Sequence, residues 1–580
     1  MDTKLIKDPI HGYIEIPTEY VKNIIDSSAF QRLRNIRQTS YDSLYPGASH
    51  NRFIHSLGVY YLGCKAYWSF RENCEKMSFC DIVTKERWNA FEVTFELACL
   101  LHDVGHMPFS HTGEELLWLN KEKDRFKVMK TNKGKIPVLY NDLFETMRTY
   151  LEEEEFKHFK SDMAKTIIGS MDYDNKKAAP KAHEIMSVVV ALEVFGPYLR
   201  EKGVIFDLFA RAILGIQYEE DIYVDTGIKN ALIRMLNSST IDVDRLDYIM
   251  RDMQMCGFDS TIIDLDRLLT SIVLVKYNQK YYFGYHKNAL STIVNVVLAH
   301  DSERRWIQGH PVVMYDAFLL RKCLEIVDRR YRARNAGLSI YQKKALLEDG
   351  ILMADGRKLR LMNDSDLLFL MKQIPRDDKD YFYVKEYLSR NERKQPLWKS
   401  EDEFQVILNG LTLRQQEIFK ETFLASGESD KDSSIGSTGF LNEERVRELE
   451  AELHKIESDH QLKDEDKTSR KQMIEKQLFW LNNLWKYCEQ QKIPFEICNN
   501  KTKAFISRIN ELSNQNIMIW YERFERAEKL EDALKTYKAS DSGLKSQFYW
   551  YLKKPKGYSP KEFLEWLQRT LAEYEKKFGN

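Results

Sequence analysis

The chain has 580 residues, of which 43% are hydrophobic and 30% charged, with few glycines and prolines. This composition is typical of a soluble, globular, helix-rich protein with two to four domains. The formal net charge is −1, so the whole-chain charge neither indicates nor excludes a nucleic-acid partner. The eight cysteines contain no CxxC pair and no apolar run has transmembrane length, so we expect a cytoplasmic protein with reduced thiols and no membrane partner.

The N-terminal third alternates short polar turns with apolar helices. A strand at about residues 13–16 precedes helices at about 18–26 and 28–37. A further helix begins at Arg52. An apolar helix then runs from about residue 92 to Asp103 and includes a His-Asp pair at its end, with a glycine, Gly105, that would let the chain turn.

The sequence pattern divides the chain into four regions. An apolar helix at about 185–195, a helix over 241–252, a hairpin within 270–286 and long helices over 291–334 complete the N-terminal part. We expect a mainly α fold with a few short strands and hairpins. The predicted regions are 1–340 with a peripheral insert at about 120–180, a mainly helical extension over 341–425, a linker over 426–440, and a charged, aromatic-rich helical region over 441–580.

Four side chains are candidate metal ligands: His55, His102, Asp103 and Asp244. Each lies at the end or on a face of a predicted buried helix. Two imidazoles and two carboxylates suit a divalent transition metal and leave coordination positions open, as in a catalytic site. Each also has a simpler interpretation, since a lone histidine in an apolar helix is more often a hydrogen-bonded core residue, and Asp244 could pair with Arg245 or Arg251.

The sequences around these residues resemble a known family. They are HNRFIHSLG at 50–58, HDVGHMPFSH at 102–111 and IDVDRLDY at 241–248, with DPIHG at 8–12 and FQRLR at 30–34. Together they resemble the HD-domain deoxynucleoside triphosphate (dNTP) triphosphohydrolases, and among these the vertebrate branch that joins a SAM domain to the HD domain. The likeness covers roughly residues 4–330, and we expect no SAM domain because the chain begins where the catalytic part does.

The resemblance implies a helical HD fold and a metal-dependent reaction. The four ligands would bind Fe, Mn, Zn, Co or Ni, and Mg²⁺ would accompany the nucleotide. Metal-bound hydroxide would attack the α-phosphorus, releasing a deoxynucleoside and inorganic triphosphate. Arg52 would hold the α-phosphate, a role that a bidentate guanidinium suits.

The resemblance also implies roles for the other cleft residues. His106, His111 and His183 would be acid/base groups, with His111 the first choice to protonate the leaving oxygen and His183 the second. The sugar and distal phosphates would be contacted by Gln38, Tyr248, Asp252 and Arg245. The simpler interpretations are that His111 and His183 cap helices and that Gln38 lies on the surface.

A regulatory site is a further implication. Asp26, Gln31 and Arg34 match residues that bind a guanine effector in the family, and Lys4 would contact its phosphates. We therefore expect a GTP or dNTP effector and a homo-oligomer, either a dimer or a tetramer. The simpler interpretation is that these are ordinary polar helix residues. A dNTP-hydrolysing enzyme would balance nucleotide pools or take part in antiviral defence.

One segment departs from the family pattern. Residues 301–310 align only through paired arginines, and Ile307 stands where a base-contacting tyrosine is expected. This leaves two alternatives open. One is an HD phosphohydrolase or nuclease acting on another phosphoester, such as a modified nucleotide or single-stranded nucleic acid. The other is a non-catalytic nucleotide-sensing assembly module. The sequence contains no P-loop and no GxGxxG motif.

Overall fold

The structure is a computed structural model. It describes residues 2–118, 138–169, 179–219, 222–238, 241–258, 263–425, 449–454, 456, 464–490, 495–501, 517–521, 526–530, 546–552 and 560–578. Within these residues helices predominate and the strands are short, so the prediction of a mainly α fold is confirmed. The linker predicted at 426–440 and much of the insert lie outside the described residues.

The described residues form 21 α-helices that are labelled here in chain order. They are α1 Thr18–Tyr20, α2 Ser28–Gln31, α3 Arg52–Glu75, α4 Lys85–Leu101, α5 Ser110–Trp118, α6 Val138–Arg148, α7 Glu153–Gly169, α8 Ala182–Glu201, α9 Phe206–Leu214, α10 Val224–Leu236, α11 Val243–Met255, α12 Leu265–Leu269, α13 Leu290–Glu303, α14 Pro311–Arg334, α15 Lys343–Leu346, α16 Asp364–Lys372, α17 Tyr381–Leu388, α18 Glu401–Asn409, α19 Leu413–Ala425, α20 Asp464–Gln490 and α21 Pro560–Phe578. Two π-helical turns interrupt the pattern, at Val21–Ile25 and Arg304–Gln308.

The strands form four small sheets. They are β1 Thr3–Asp8, β2 Gly12–Pro17, β3 Ile272–Tyr277, β4 Lys280–His286, β5 Ile351–Leu352, β6 Lys358–Leu359, β7 Gln395–Pro396, β8 Phe495–Lys501, β9 Met518–Tyr521, β10 Arg526–Lys529 and β11 Ser546–Leu552. The sheets are β1-β2, β10-β9-β4-β3, β7-β11-β8 and β5-β6. All pairs are antiparallel except β4 with β9, where Gly284 pairs with Met518.

The chain divides into two compact units. The first comprises the described residues within Met1–Ile307, Leu320–Tyr381 and Phe505–Ser542. The second comprises those within Gln308–Leu319, Phe382–Ala504 and Gly543–Asn580. All residues of the candidate site belong to the first unit. The core of the second unit is aromatic and includes Trp398, Phe419 and Trp480.

The helix α4 ends at the predicted His-Asp pair. The Oγ1 atom of Thr84 accepts the backbone N–H of Arg87 at 3.3 Å and caps the start of the helix. The last five residues, Leu97–Leu101, are fully buried. Because the helix ends directly after this buried run, the two side chains that follow it are held at the inner end of α4, where α3 packs against it.

Two features differ from the sequence predictions. Four strands, β8 to β11, lie within the region 441–580 that sequence patterns assigned to helices. Their aromatic and β-branched runs, such as Met518–Tyr521, favour strands once a partner strand is available. The helix α8 is also long and apolar enough to cross a membrane by length and composition, although 78% of it is buried within the structure, as in a core helix.

Candidate metal centre and histidine–glutamate cluster

The four predicted ligands converge on one point. The Nε2 atom of His55 lies 3.0 Å from Oδ1 of Asp244 and 3.6 Å from Oδ2 of Asp103. The Nε2 atom of His102 lies 3.6 Å from Oδ2 of Asp103 and 3.7 Å from Oδ1 of Asp244. Atoms that bind one ion at about 2.1 Å are separated by roughly 3 to 3.5 Å. His55, His102 and Asp103 offer ligand atoms within 4.8 Å of one another, and Oδ1 of Asp244 lies 3.0 Å and 3.7 Å from the imidazole nitrogens of His55 and His102. These four residues are named here the metal cluster.

The two imidazoles of the metal cluster are oriented by their other nitrogens. The Nδ1 atom of His55 lies 2.7 Å from Oδ2 of Asp247, and Nδ1 of His102 lies 2.8 Å from the carbonyl oxygen of Cys99. Such outer contacts fix the ring and direct its second nitrogen towards a metal. The Nε2 atom of His102 is buried and has no hydrogen-bond partner in the part of the chain that the structure describes. A divalent cation would satisfy this nitrogen, so the residues present fit a metal.

Opposing charges control the ionisation of the metal cluster. Burial raises the pKa of the Asp103 carboxyl, but Arg52 and the neighbouring imidazoles outweigh burial and hold that pKa well below its usual range. Burial lowers the pKa of His55, but hydrogen bonds to Asp244 and Asp247 outweigh it and raise the pKa to about 9 in the metal-free protein, so a bound cation would displace a proton from this ring. The Asp103 carboxylate therefore stays ionised at neutral pH, which suits a cation.

Arg52 is the first residue of α3 and contacts three groups of the cleft. Its Nη1 atom donates to Oδ2 of Asp103 at 2.6 Å, its Nε atom to Oγ of Ser110 at 2.9 Å, and its Nη2 atom to the carbonyl oxygen of Gln38 at 3.3 Å. The guanidinium is thus fixed beside the metal cluster, within reach of an anion that the metal would bind. The Asn51 side chain caps α3 by accepting the N–H of Ile54 at 3.2 Å.

The other predicted histidines form a second cluster with a carboxylate that the sequence analysis did not assign. A single oxygen, Oε2 of Glu114, lies 3.0 Å from Nδ1 of His111 and 2.9 Å from Nδ1 of His183. The other oxygen, Oε1, accepts the backbone N–H of His183 at 3.1 Å. His106 stacks on His183, with ring centroids 4.4 Å apart. These four residues are named here the histidine–glutamate cluster.

The histidine–glutamate cluster is arranged to hold a proton. An ionised carboxylate only accepts hydrogen bonds, so Nδ1 of His111 and Nδ1 of His183 both carry hydrogens and both Nε2 atoms remain available. Burial lowers the pKa of His183, but Glu114 outweighs burial and the net shift is upward. Burial lowers the pKa of His111 to about 4, with only partial opposition from Glu114. These directions favour His183 over His111 as the proton carrier.

The stacking of His106 and His183 also limits metal binding in the second cluster. The ring planes differ by only 11°. A nitrogen lone pair lies in the plane of its ring, so one ion cannot lie near two parallel, stacked planes at once. The residues His106, His111, Glu114 and His183 are close enough together to suggest a metal site. The ring orientations nevertheless exclude a single ion bound by both stacked imidazoles.

The predicted substrate residues lie along α11 and beside it. Tyr248 and Asp252 follow Asp244 at successive turns, and Oδ1 of Asp252 lies 2.7 Å from Nε2 of His50. Gln38 is buried, contrary to its surface interpretation, and its Oε1 atom has no partner among the described residues. Arg245 donates from Nε to Oδ2 of Asp242 at 3.2 Å. Asp244 itself pairs with imidazoles rather than with Arg245.

The predicted effector residues are only partly brought together. Arg34 donates from Nε to Oε1 of Gln31 at 2.8 Å, and its guanidinium lies 3.6 Å from the ring centroid of Phe53. Asp26 is exposed at the end of a π-helical turn, and Lys4 is exposed on β1. Among the described residues, neither makes a hydrogen bond with Gln31 or Arg34. The effector assignment remains a prediction.

Three positioning residues were missed by sequence reasoning. Glu114 follows His111 by three residues on α5, and Asp247 follows Asp244 by three on α11, which are spacings that place side chains on one helix face. Asp364 accepts the N–H of Phe109 at 2.6 Å and that of Arg37 at 2.9 Å. Nothing in the local sequence of Asp364 indicates this contact.

The loop between the two clusters is held by close packing. A Cβ atom on Gly105 would lie 2.3 Å from the backbone of Met186 and Ser187, so only glycine allows the loop to pass α8. Gly105 is not among the residues with positive φ, and close approach, rather than the turn expected from sequence, explains the glycine. Phe109 and Ser110 do have positive φ, at 59° and 53°. This costly conformation is stabilised by Asp364.

Comparison with known families agrees with this geometry. The model of the HD domain matches residues 52–252, the segment that carries all four residues of the metal cluster. Residues 52–252 are therefore similar to an HD domain, and the four residues of the metal cluster fall at positions that this match covers. The metal cluster contains the His-Asp pair, His102 and Asp103, together with His55 and Asp244.

Several curated proteins are similar to parts of the chain. The deoxynucleoside triphosphate triphosphohydrolase SAMHD1 of Gallus gallus is 47% identical over 110 residues, which is 19% of this chain and 16% of that protein. The SAMHD1 homolog of Dictyostelium discoideum is 28% identical over 271 residues, covering 46% and 39%. An uncharacterized protein of Methanocaldococcus jannaschii is 25% identical over 322 residues, covering 55% and 49%. The chain thus spans less than half the length of each of these relatives.

A solved structure is similar in fold. A hypothetical protein from Aquifex aeolicus has a TM-score of 0.50 and 17% sequence identity, with coverage of 98% of this chain and 100% of that one. At this identity the likeness supports the mainly α fold and carries nothing about activity.

Proposed function

We propose that the chain hydrolyses deoxynucleoside triphosphates to a deoxynucleoside and inorganic triphosphate, with a divalent transition metal held by the metal cluster. The observation that carries the proposal is the convergence of His55, His102, Asp103 and Asp244, with the buried Nε2 of His102 directed at their common centre. Similarity to the triphosphohydrolases of Gallus gallus and Dictyostelium discoideum supports dNTPs as the substrate class.

The metal cluster and Arg52 would bind the reacting phosphate. The bound ion would supply a water of lowered pKa as the nucleophile and offset phosphate charge, while Mg²⁺ accompanies the remaining phosphates. Arg52 would donate two hydrogen bonds to the α-phosphate, because its guanidinium already lies 2.6 Å from Asp103. Arg245 would contact the distal phosphates.

The histidine–glutamate cluster would supply the proton that the leaving 5′ oxygen needs. We assign the acid to His183, because Glu114 raises its pKa and occupies its Nδ1 atom. This reverses the order that the sequence gives, in which His111 comes first. His111, whose pKa falls to about 4, would stay neutral, and because its hydrogen is on Nδ1, its Nε2 atom would accept a hydrogen bond, for example from a water, and would not donate one to the phosphate. His106 would support the His183 ring by stacking.

The sugar would lie against α11. The ring of Tyr248 would pack against C2′ and leave no room for a hydroxyl there, which favours deoxyribose. Asp252, held by His50, and the buried amide of Gln38 would contact the sugar hydroxyl. An unpaired buried amide oxygen is costly, so a ligand that pairs with it gains selectivity.

The test is product analysis. Purified protein is incubated with each dNTP, each NTP and single-stranded DNA, with Mn²⁺ or Mg²⁺, and the products are separated by anion exchange. We expect inorganic triphosphate from dNTPs only, abolished by Asp103→Asn. Release of diphosphate, or of nucleotide fragments from DNA, would contradict the proposal and favour another HD phosphohydrolase or a nuclease. Failure of every substrate with a metal-loaded protein would favour a non-catalytic nucleotide-sensing module.

Regulation by nucleotides is a second part of the proposal. A GTP or dNTP effector would bind at Asp26, Gln31 and Arg34, with Lys4 on its phosphates, and would drive assembly of a cytoplasmic homo-oligomer. The contact between Arg34 and Gln31 supports this assignment, since it already orients two groups able to bind a guanine edge. Mass measurement with and without GTP is the test. An unchanged mass together with an unchanged rate would refute it.

A further inference from the structure

The turn that joins β1 to β2 carries a buried histidine. Residues 8–12 are named here the hairpin turn. The side chain of His11 is only 2% exposed, and its ring centroid lies 5.1 Å from that of Tyr61 on α3. Its Nε2 atom lies 2.6 Å from Oδ1 of Asp247, a fully buried carboxylate on α11. An ionised carboxylate only accepts hydrogen bonds, so Nε2 of His11 is the donor.

The two oxygens of Asp247 are shared between four donors. Oδ1 accepts from Nε2 of His11 and from Nη2 of Arg251 at 2.8 Å. Oδ2 accepts from Nε of Arg251 at 2.9 Å and from Nδ1 of His55 at 2.7 Å. A carboxylate has about four lone-pair positions, so each of them has a donor here. The carboxylate cannot rotate without losing a hydrogen bond, and His11 lies two hydrogen bonds away from a residue of the metal cluster.

The hairpin turn is fixed by the same arginine. Oδ1 of Asp8 accepts the backbone N–H groups of Ile10 and His11 at 2.8 Å and 2.9 Å, which closes the turn. Oδ2 of Asp8 accepts from Nη1 of Arg251 at 2.9 Å. Hydrogen bonds therefore run in a closed ring through His11, Asp247, Arg251 and Asp8 and return to the backbone of His11. This ring holds both the backbone and the side chain of the histidine.

A glycine on α3 leaves room for the ring. A Cβ atom on Gly58 would lie 1.9 Å from Oδ1 of Asp247 and 2.6 Å from Nη2 of Arg251. A larger residue at this position would push the carboxylate out of its place beside His55, which lies one turn earlier on the same helix. The helix that carries a candidate metal ligand thus also leaves the space that the outer carboxylate of that ligand occupies.

We propose that His11 is a positioning residue for the metal cluster, because its hydrogen bond to Oδ1 of Asp247 keeps Oδ2 on Nδ1 of His55. This rests on the metal site of the proposed function. Outer partners of this kind fix the ring of a metal-binding histidine and direct its second nitrogen. The hairpin turn, which the proposed reaction does not otherwise use, is thereby part of the support of the metal site.

The main test compares Mn²⁺ binding by metal-free, full-length His11→Leu and His11→Gln. Leucine has no donor, whereas the amide nitrogen of glutamine can replace Nε2 of the histidine. Loss of an outer partner typically weakens metal binding about 10- to 100-fold, and His11 lies one bond further out, so the Kd for Mn²⁺ should rise about 10-fold in His11→Leu and less than about threefold in His11→Gln. An unchanged Kd in His11→Leu would overturn the proposal. His158→Leu, at an exposed histidine on α7, is the control.

A double-mutant cycle tests whether His11 acts through Asp247. The change Asp247→Ala removes both carboxylate oxygens. Adding His11→Leu to it should alter the Kd for Mn²⁺ by less than about twofold, because the contact through which His11 acts is already lost. An effect of His11→Leu that is equally large with and without the carboxylate would contradict the assigned role.

Chemical denaturation of the metal-free variants separates positioning from a merely structural role. If His11→Leu lowers the free energy of unfolding but leaves the Kd of the folded protein unchanged, the role is structural and the proposal is wrong. Hydrolysis does not enter this readout. If Mn²⁺ binds and no dNTP is hydrolysed, the proposed function fails while the comparison at His11 still decides this inference. If the unaltered protein binds no Mn²⁺, both fail.

Discussion

The metal cluster and the histidine–glutamate cluster are built from the same residue types, yet they are organised differently. In the metal cluster, outer groups occupy the Nδ1 atoms of His55 and His102, and the two Nε2 atoms point at shared carboxylate oxygens. In the histidine–glutamate cluster, one carboxylate occupies both Nδ1 atoms and two of the rings are stacked. Nitrogens that converge favour a cation, whereas parallel rings with a shared acceptor favour a proton.

The difference shows that residue composition alone does not define a metal site. Both clusters contain histidine and carboxylate within a few ångströms. What separates them is which nitrogen of each ring is already used and how the ring planes lie. The backbone determines both features. His102 directly follows α4 and is held by the carbonyl oxygen of Cys99. His183 lies at the start of α8 and is held by Glu114.

The largest expected effect is from Asp103→Asn. The amide removes one charged ligand oxygen and leaves Arg52 without its carboxylate partner. We expect loss of bound metal and a fall in kcat of roughly 10³-fold or more, the size typical of removing a group that the reaction requires. Metal analysis and product assays check this. Asp81→Asn, at an exposed carboxylate, is the control. Full activity in a variant that binds no metal would refute the role of the metal cluster.

The second effect is from Glu114→Gln. It removes the charge that raises the pKa of His183 but leaves the metal cluster intact, so kcat should fall by roughly 10²-fold while metal content is retained. His183 must be protonated to act, so activity falls as pH rises through its pKa. Without the carboxylate that pKa drops, and the alkaline limb of the pH profile should move to lower pH.

Glu154→Gln is the matched control for this experiment, since Glu154 is an exposed glutamate whose partner is Lys157. Its pH profile and kcat should match those of the unaltered protein. An unchanged alkaline limb in Glu114→Gln, or loss of metal from that variant, would show that the two clusters do not have the separate roles assigned to them.

A third and smaller effect is expected from Asp247→Asn. Asp247 orients His55 and also accepts two hydrogen bonds from the buried Arg251. Loss of such an outer partner typically weakens metal binding by about 10- to 100-fold. The buried guanidinium keeps Asp8 as a partner, so we expect the free energy of unfolding to fall by only about 2 kcal/mol. Metal titration and chemical denaturation measure the two effects, with the exposed Asp266→Asn as control.

The smallest effect is expected from Asp364→Ala. This change removes the acceptor for the N–H groups of Phe109 and Arg37, and with it the support for the positive φ angles of Phe109 and Ser110. The free energy of unfolding should fall by about 1–3 kcal/mol. Activity should fall only a few-fold, because neither cluster loses a group. Thermal unfolding and kcat measure this, and a collapse of activity without loss of stability would assign Asp364 a direct part in the reaction.

The metal cluster could be predicted because each ligand is embedded in a short motif on a regular helix. Asp247 and Glu114 were also within reach of prediction, since each follows an assigned residue by three positions on a helix. They were missed because a carboxylate that orients another side chain has no distinctive pattern. Asp364 could not be predicted, since it contacts Phe109 across 255 residues of sequence.

Contacts that are distant in sequence also explain why the strands in the region 441–580 were not predicted. The strands β9 and β10 join the sheet of β3 and β4, where Met518 pairs with Gly284. A strand of four residues is stabilised by its partner rather than by its own periodicity, and the partner here is more than two hundred residues away in the sequence. The pattern of α4 is local, so its existence was predicted, although the helix begins at Lys85 rather than after residue 92 and ends at Leu101 rather than at Asp103.

The most direct test of the central claim is anomalous diffraction from crystals of the full chain grown with Mn²⁺. We predict a peak between Nε2 of His55 and Nε2 of His102, in contact with Asp103 and Asp244, and no peak in the histidine–glutamate cluster. A peak among His111, Glu114 and His183, with none in the metal cluster, would contradict it.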